Sequence, residues 1–189
     1  MRAIEVTLRE CEPSDLARLE AWAPTGNNRT HEVRFSRHRA GTSTYYLAHT
    51  ADGRDAYVGS CEVRWDGCAA LEIPRCPEVN GLQVWPEHLQ SRGIGTQILE
   101  QVEAAAAARG HDTIGLGVDD PRARALYIRL GYVDSGLTYV DRYTWIDDRL
   151  QEHHVADLCQ WLTKDVGRSR RERGPRERSA IVYRAGRRE

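Results

Sequence analysis

The sequence predicts a single mixed α/β domain whose sheet is joined both by hairpins and by helix crossovers. Short segments that alternate apolar with polar residues recur along the chain between turn residues, as half-buried strands do. Two helical stripes stand between such segments in the second half, Ile94-Ile98-Leu99-Val102-Ala105-Ala106 and Ala123-Leu126-Tyr127-Leu130. The 189 residues, 40% of them apolar, suffice for one full core and are too few for two ordinary domains.

Each element has its own local reason. Ile4, Val6 and Leu8 alternate with charged residues in a first strand. Pro13-Ser14-Asp15 starts a helix with Ser14 as its cap and Leu16, Leu19 and Trp22 on one side. Pro24-Thr25-Gly26-Asn27-Asn28 breaks it, and a very polar helix follows from Thr30 to about Arg39. Strands Thr44–His49 and Tyr57–Trp65 flank Asp52-Gly53-Arg54-Asp55, a hairpin turn signal. Cys68–Pro77 is irregular, and Val79–Trp85 reads as a fourth strand. A long helix runs from Gly93 to Arg109, and Gly110 supplies the left-handed residue that ends it. Ile114, Leu116 and Val118 form a fifth strand, after which Asp120 caps a short helix with Pro121 in its first turn and Gly131 at its end. Leu137, Tyr139, Tyr143 and Trp145 alternate in a sixth strand. Beyond a loop around His153 and His154, Leu158–Lys164 fits a seventh strand or a short helix.

Composition removes several function classes. The 27 basic and 28 acidic residues give a net charge of −1, which is unlike a wholesale polybasic nucleic-acid binder. The charge is unevenly spread: Met1–Thr163 holds 17 basic and 24 acidic residues, a net −7, and Lys164–Glu189 holds 10 and 4, a net +6. The longest stretch without Asp, Glu, Lys or Arg, Ala40–Ala51, is far short of the roughly 20 apolar residues that span a bilayer. Met1–Glu10 has no apolar h-region, so no membrane partner and a cytoplasmic location are expected. Five cysteines without a C-x-x-C pair or a His at ligand spacing predict free thiols and no metal site.

The segment with the strongest chemical signal is Val84-Trp85-Pro86-Glu87-His88-Leu89-Gln90-Ser91-Arg92-Gly93-Ile94-Gly95-Thr96, between a strand and the long helix. A glycine-bearing loop that opens a helix presents free N–H groups and the positive end of the helix dipole, which suits an anionic phosphate. Gly93 and Gly95 allow close approach of the backbone, and Arg92 and Thr96 can add side-chain contacts. The third glycine of a dinucleotide fingerprint and the Gly-Lys-Ser/Thr of a P-loop are both missing.

The block Gln90-Ser91-Arg92-Gly93-Ile94-Gly95 resembles the acetyl-CoA pyrophosphate loop Q-x-x-G-x-G/A of the GCN5-related N-acetyltransferase (GNAT) superfamily. A second block, Asp120-Pro121-Arg122-Ala123-Arg124-Ala125-Leu126-Tyr127-Ile128-Arg129-Leu130-Gly131-Tyr132, is similar to that family's N-x-x-A-x-x-L-Y-x-x-x-G-F/Y block. The order and separation are those of the family, and the resemblance covers roughly Ile4–Val166. It implies a GNAT fold, a mixed and mostly antiparallel sheet of about seven strands flanked by about four helices and splayed at the fourth and fifth strands. It further implies an acetyltransferase domain over 1–166 and a basic Arg-rich tail over 167–189.

The resemblance also assigns roles. Backbone groups of Leu82 and Val84 would pair with the pantetheine arm of acetyl-CoA, the co-substrate. Gln90 and the amides of Arg92, Gly93, Ile94, Gly95 and Thr96 would hold the pyrophosphate. Asp120 stands where the family has Asn, and an anion is less welcome there. Tyr127 matches the family tyrosine near the thioester sulfur and would protonate the departing thiolate. The acceptor ammonium must lose a proton, and Glu78 is the first candidate base, ahead of Glu72 and Glu87. Alternation sets Glu78 on the side of Asn80 and Leu82 if no bulge intervenes, and because this strand splays, parity leaves the base open.

In this family the acceptor pocket is shaped by the loop between the first two helices and by the late hairpin, here Trp22–Arg39 and Tyr139–His154. Tyr139, Asp141, Tyr143, Trp145, Asp147 and Asp148 suit a small, cationic, amine-bearing acceptor, as does the −7 body. The expected reaction is direct acetyl transfer to a primary amine. Two alternatives stand beside it: a CoA-binding regulatory module without turnover, and a protein N-acetyltransferase. In the tail, Ser179–Tyr183 is an apolar patch suited to an added edge strand or a homodimer contact, and the arginines are the only feature that would favour nucleic acid.

Overall fold

A computed structural model describes residues 4–51 and 57–167. One sheet carries seven strands in the order β1-β2-β3-β4-β5-β7-β6: β1 (Val6–Glu10), β2 (Ser43–Thr50), β3 (Tyr57–Arg64), β4 (Glu78–Val84), β5 (Thr113–Val118), β6 (Val133–Ile146) and β7 (Glu152–Asp165). Helices α1 (Leu16–Trp22), α2 (Thr30–Arg39), α3 (Ile94–Ala108) and α4 (Pro121–Arg129) complete it. Every strand pair is antiparallel except β4 with β5. Among the described residues no helix is long and apolar enough to cross a membrane.

The sheet is covered on both faces, so β2 is buried along nearly its whole length instead of alternating. Tyr45 and Leu47 join Leu19, Phe35 and Tyr57 in a core under α1 and α2. Tyr46 and Ala48 point the other way, into the main core with Ile94, Ile98, Leu99, Val102 and Ala106 of α3. Ala123, Tyr127 and Leu130 of α4 pack on the edge of that main core.

β1 has one strand neighbour, and α3 closes its outer edge. Gln97 accepts from the Val6 N–H (2.9 Å) and donates to the Ile4 carbonyl (2.8 Å). One turn on, Gln101 accepts from the Leu8 N–H and donates to the Val6 carbonyl, both at 3.0 Å. Two side-chain amides spaced i, i+4 thus act as a substitute strand for backbone groups that would otherwise lack partners.

The helix starting near Pro13 is organised by acidic residues and not by Ser14. A 3-10 turn, Pro13–Asp15, precedes α1, and the Glu12 N–H donates to Asp15 Oδ2 (2.8 Å). Asp15 is buried and also receives both guanidinium nitrogens of Arg9 (2.5 and 2.6 Å) and the Tyr57 hydroxyl (2.6 Å). Burial alone would raise its pKa, but the Arg9 hydrogen bonds hold the carboxyl well below the usual carboxylate range. The hairpin turn expected at Asp52–Asp55 lies outside the described residues.

The C-terminal hairpin is longer than its sequence signal. β6 and β7 have 14 residues each, and His153 and His154 belong to a strand and not to a loop. The short-helix alternative for Leu158–Lys164 is also excluded. Most of β6 is exposed, so no buried face imposes strict alternation on its sequence. All five cysteines are free thiols.

Candidate active site

β4 and β5 touch where Glu78 lies opposite Gly115 and the Gly115 N–H donates to the Pro77 carbonyl (2.8 Å). Beyond that point β4 follows β3 and β5 follows β7, which opens a cleft between them. The registers on either side of Gly81 differ by one residue, and Gly81 has a left-handed φ of 58°. This bulge breaks the parity on which the sequence reading of β4 depended.

On the α3 and α4 side the cleft has a volume of about 750 Å³. Leu82, Val84, Gln90, Gly93, Gly95, Thr96, Asp120 and Tyr127, eight of the expected site residues, line it. Gly93, at φ 81°, turns the chain into α3, and Ser91 is also left-handed, at φ 60°. The first bond of the helix ladder here runs from the Gln97 N–H to the Gly93 carbonyl (3.1 Å), so the N–H groups of Ile94, Gly95 and Thr96 precede it. This end of the cleft can accept a pyrophosphate.

Several expected roles change in detail. Arg92 is not among the lining residues, and Ile94 turns its side chain into the core, so any contact from Ile94 would come from its backbone N–H. The Gln90 side chain donates to the Val84 carbonyl (3.2 Å), a group the family resemblance had assigned to pantetheine. Asp120 caps α4, accepting from the Arg122 and Ala123 N–H groups at 3.0 and 3.2 Å. With both oxygens so engaged, the departure from Asn serves the helix. Arg122 and Arg129 of α4 also line the cleft. Their spacing of seven, two helical turns, was a signal the sequence reading did not use.

On the other side of the splay lies a smaller chamber of about 180 Å³ lined by Glu78, Asp119, Asp141 and Asp157, by Tyr139 and Tyr143, and by Leu82 and Tyr127 from the first cleft. Among the described residues no arginine or lysine lines it. Asp141 stands directly opposite Asp157 in the β6–β7 ladder, a like-charge pair that is unfavourable unless a cation or proton joins it. The Tyr143 hydroxyl donates to Asp157 (3.1 Å). Gly117 of β5 lets Tyr139 lie across the strand, since a Cβ there would come within 2.1 Å of the Tyr139 hydroxyl oxygen. Asp119 and Asp157 were missed because only the pairing of β5 and β6 with β7 brings them to this wall.

Glu78 is 2% exposed, and burial pushes its carboxyl above the usual range while Arg64 pulls the other way. Glu72 and Glu87, the other candidate bases, are exposed and line neither cavity. Burial also raises the pKa of the Tyr127 phenol, with the Asp120 charge adding to it, so Tyr127 keeps its proton at neutral pH.

The two expected acceptor walls are tied together. Asn28 accepts from the Ile146 N–H (2.7 Å) and donates to its carbonyl (3.0 Å), and Asn27 donates to the Asp147 carbonyl (2.7 Å). Trp145, Asp147 and Asp148 belong to this end of the hairpin and do not line the chamber.

Comparison with known proteins agrees with this fold. The family model described as acetyltransferase (GNAT) family matches residues 6–132. No curated protein sequence matches the chain. Among solved structures, the spermidine N-acetyltransferase from Vibrio cholerae in complex with CoA and spermine is similar at a TM-score of 0.57 and 16% identity, covering 85% of this chain and 95% of that one. The IAA acetyltransferase from Bacillus cereus is similar at 0.54 and 18%, covering 85% and 99%. At these identities the likeness is one of fold.

Proposed function

This chain belongs to the GNAT family of acetyltransferases, enzymes that transfer an acyl group from acetyl-CoA, and on that premise we propose that it acetylates a primary amine of a small, cationic acceptor. The observation that carries the reading is the meeting of the two cavities. Leu82 and Tyr127 line both the cleft at the α3 N-terminus and the acidic chamber. Acetyl-CoA in the first would bring its thioester to the phenol, and an ammonium in the second would approach from the carboxylate side.

The residues fit the substrate at its phosphate end, with N–H groups ahead of the α3 ladder and glycines that leave the backbone uncovered. The incoming ammonium passes a proton to Glu78, directly or through water. The neutral amine then adds to the thioester carbonyl, and the tetrahedral intermediate collapses with transfer of the Tyr127 proton to the thiolate, while the nitrogen gives up its second proton and so restores the phenol. Burial keeps the Tyr127 phenol protonated, and Arg64 pulls the buried Glu78 carboxyl toward its ionised form, which suits an acid and a base working in one site. Residues 1–166 form the proposed catalytic domain, which acts on its small-molecule acceptor in the cytoplasm.

The cationic acceptor rests on the facing Asp141 and Asp157 and on the absence of basic residues among those lining the chamber. The V. cholerae relative, whose structure holds spermine, acts on an acceptor of that chemistry. A direct test measures CoA release from acetyl-CoA with putrescine, spermidine, an aminoglycoside, an aromatic monoamine and a peptide with a free N-terminus. Turnover of a cationic small amine supports the reading. Turnover of the peptide alone would favour a protein N-acetyltransferase, and acetyl-CoA binding without release for any amine would favour a regulatory module.

A further inference from the structure

Four charged side chains form a line from the surface of α2 to the acceptor chamber. Arg37 of α2 donates Nε to Glu62 Oε1 (2.7 Å) and Nη2 to Glu62 Oε2 (2.6 Å). Glu62 of β3 is fully buried. Arg64, two residues further along β3, has its Nε 3.9 Å from the same Glu62 oxygen, Oε2. Its Nη1 donates to Glu78 Oε2 at 3.4 Å. The register explains the line: Glu62 faces Asn80 and Arg64 faces Glu78 across the β3–β4 ladder, and residues two apart share one face of the sheet. Asn80 adds a contact of 3.5 Å to Glu78 Oε1.

This cluster is not accounted for by stability. A buried ion pair recovers at best a modest net gain over an apolar replacement of the same volume. Arg64 is moreover shared. Arg37 already gives Glu62 two short hydrogen bonds, whereas neither carboxylate holds Arg64 at close range.

We propose that Arg64 is a positioning residue for acetyl transfer, suspended between Glu62 and Glu78 so that it orients the Glu78 carboxylate toward the acceptor chamber without fully neutralising it. Arg37 and Glu62 act through Arg64 and not on substrate. Without Arg64, burial would act on the Glu78 carboxyl unopposed and raise its pKa further. With Arg64 fully paired to it, the carboxylate would be a poor base. Its other neighbours set the same balance from other elements: Asp141, Arg142, Tyr139 and Tyr143 of β6, Asp119 beyond β5, Asp157 of β7, Tyr127 of α4, and Cys68 and Cys76 of the loop before β4. Asp141 also raises the Glu78 pKa.

The proposal rests on Glu78 being the base, and the experiment separates the two. The Glu78 carboxyl is titrated by carbon-13 NMR in the full chain labelled at glutamate, with Glu78→Gln identifying its signal. Arg64→Met is expected to raise the midpoint by about 1 to 2. Glu62→Gln frees Arg64 to lean on Glu78 and is expected to lower it. Arg37→Gln, at a partly exposed position, leaves Glu62 with more pull on Arg64 and should raise the midpoint even if the Glu62 variant folds poorly. The acid limb of the rate with spermidine should move in the same sense for each variant, which a purely structural role would not produce. A midpoint unmoved by both Arg64→Met and Arg37→Gln overturns the proposal while leaving Glu78 as base. Full turnover by Glu78→Gln overturns the base assignment, and the role of Arg64 falls with it.

Discussion

Replacing Gly95 with alanine tests the α3 end of the cleft, because the substitution should raise stability and leave cofactor affinity nearly unchanged. A Cβ built on Gly95 meets Val84 Cγ2 at 3.8 Å and Leu82 Cδ2 at 3.9 Å, ordinary contacts that displace nothing. Gly95 lies in the first turn of α3, where alanine is the better helix former by about 0.5–1 kcal/mol. For a chain of this size that predicts a melting temperature roughly 1–4 °C higher. The methyl lies against Leu82 and Val84 and leaves the N–H groups of Ile94, Gly95 and Thr96 uncovered, in keeping with a family block whose last position is Gly or Ala. Acetyl-CoA affinity should therefore stay within about threefold of wild type. Differential scanning fluorimetry without ligand and isothermal titration with acetyl-CoA read the two quantities separately. A loss of binding beyond about tenfold in a variant as stable as predicted would refute the reasoning, because the methyl would then block the ligand.

Three other perturbations address separate links between sequence and behaviour. Tyr127→Phe should lower kcat about 100-fold and leave acetyl-CoA affinity nearly unchanged, and steady-state kinetics beside equilibrium binding would expose a mere packing role by an equal loss in both. Gln101→Leu strands the Leu8 N–H and the Val6 carbonyl at the edge of β1 and should cost about 2–3 kcal/mol in urea unfolding, with a change below about 0.5 kcal/mol arguing against the glutamine clamp. Asp15→Asn should destabilise by about 2–3 kcal/mol at neutral pH, after allowance for the partly exposed Arg9. Because the fold depresses the Asp15 pKa, its contribution is present above the unfolded carboxylate pKa of about 4 and fades as pH falls below it. The gap between wild type and Asp15→Asn should therefore narrow in acid, and a constant gap would mean the carboxylate charge is not what stabilises.

Element order, the two helical stripes and the phosphate loop were legible in the sequence because each is set by neighbours along the chain. α2 spans Thr30–Arg39 as its pattern predicted, and Asp120 caps α4 as its position before Pro121 predicted. The signal thinned where burial is one-sided or absent. Val133–Gly136 at the start of β6 is exposed and Glu152–Asp157 at the start of β7 is at most half-buried, so neither carries a strict apolar alternation to read. Ser14 has the residue type of a cap, yet Asp15 organises this turn because Arg9 of β1 and Tyr57 of β3 converge on it.

The sequence by itself determined the family, the glycine-bearing loop that opens α3 and the tyrosine across the cleft from it, because those rest on contiguous blocks whose spacing a helix start preserves. Only the tertiary structure decided what lines the proposed acceptor chamber. One extra residue at Gly81 shifts β4 by a register step, and the hairpin ladder sets Asp141 against Asp157 from residues 16 apart. Arg64 meets Glu78 across a strand pair for the same reason. A side-chain period of two makes every such meeting depend on register, and register is fixed by how the sheet packs as a whole.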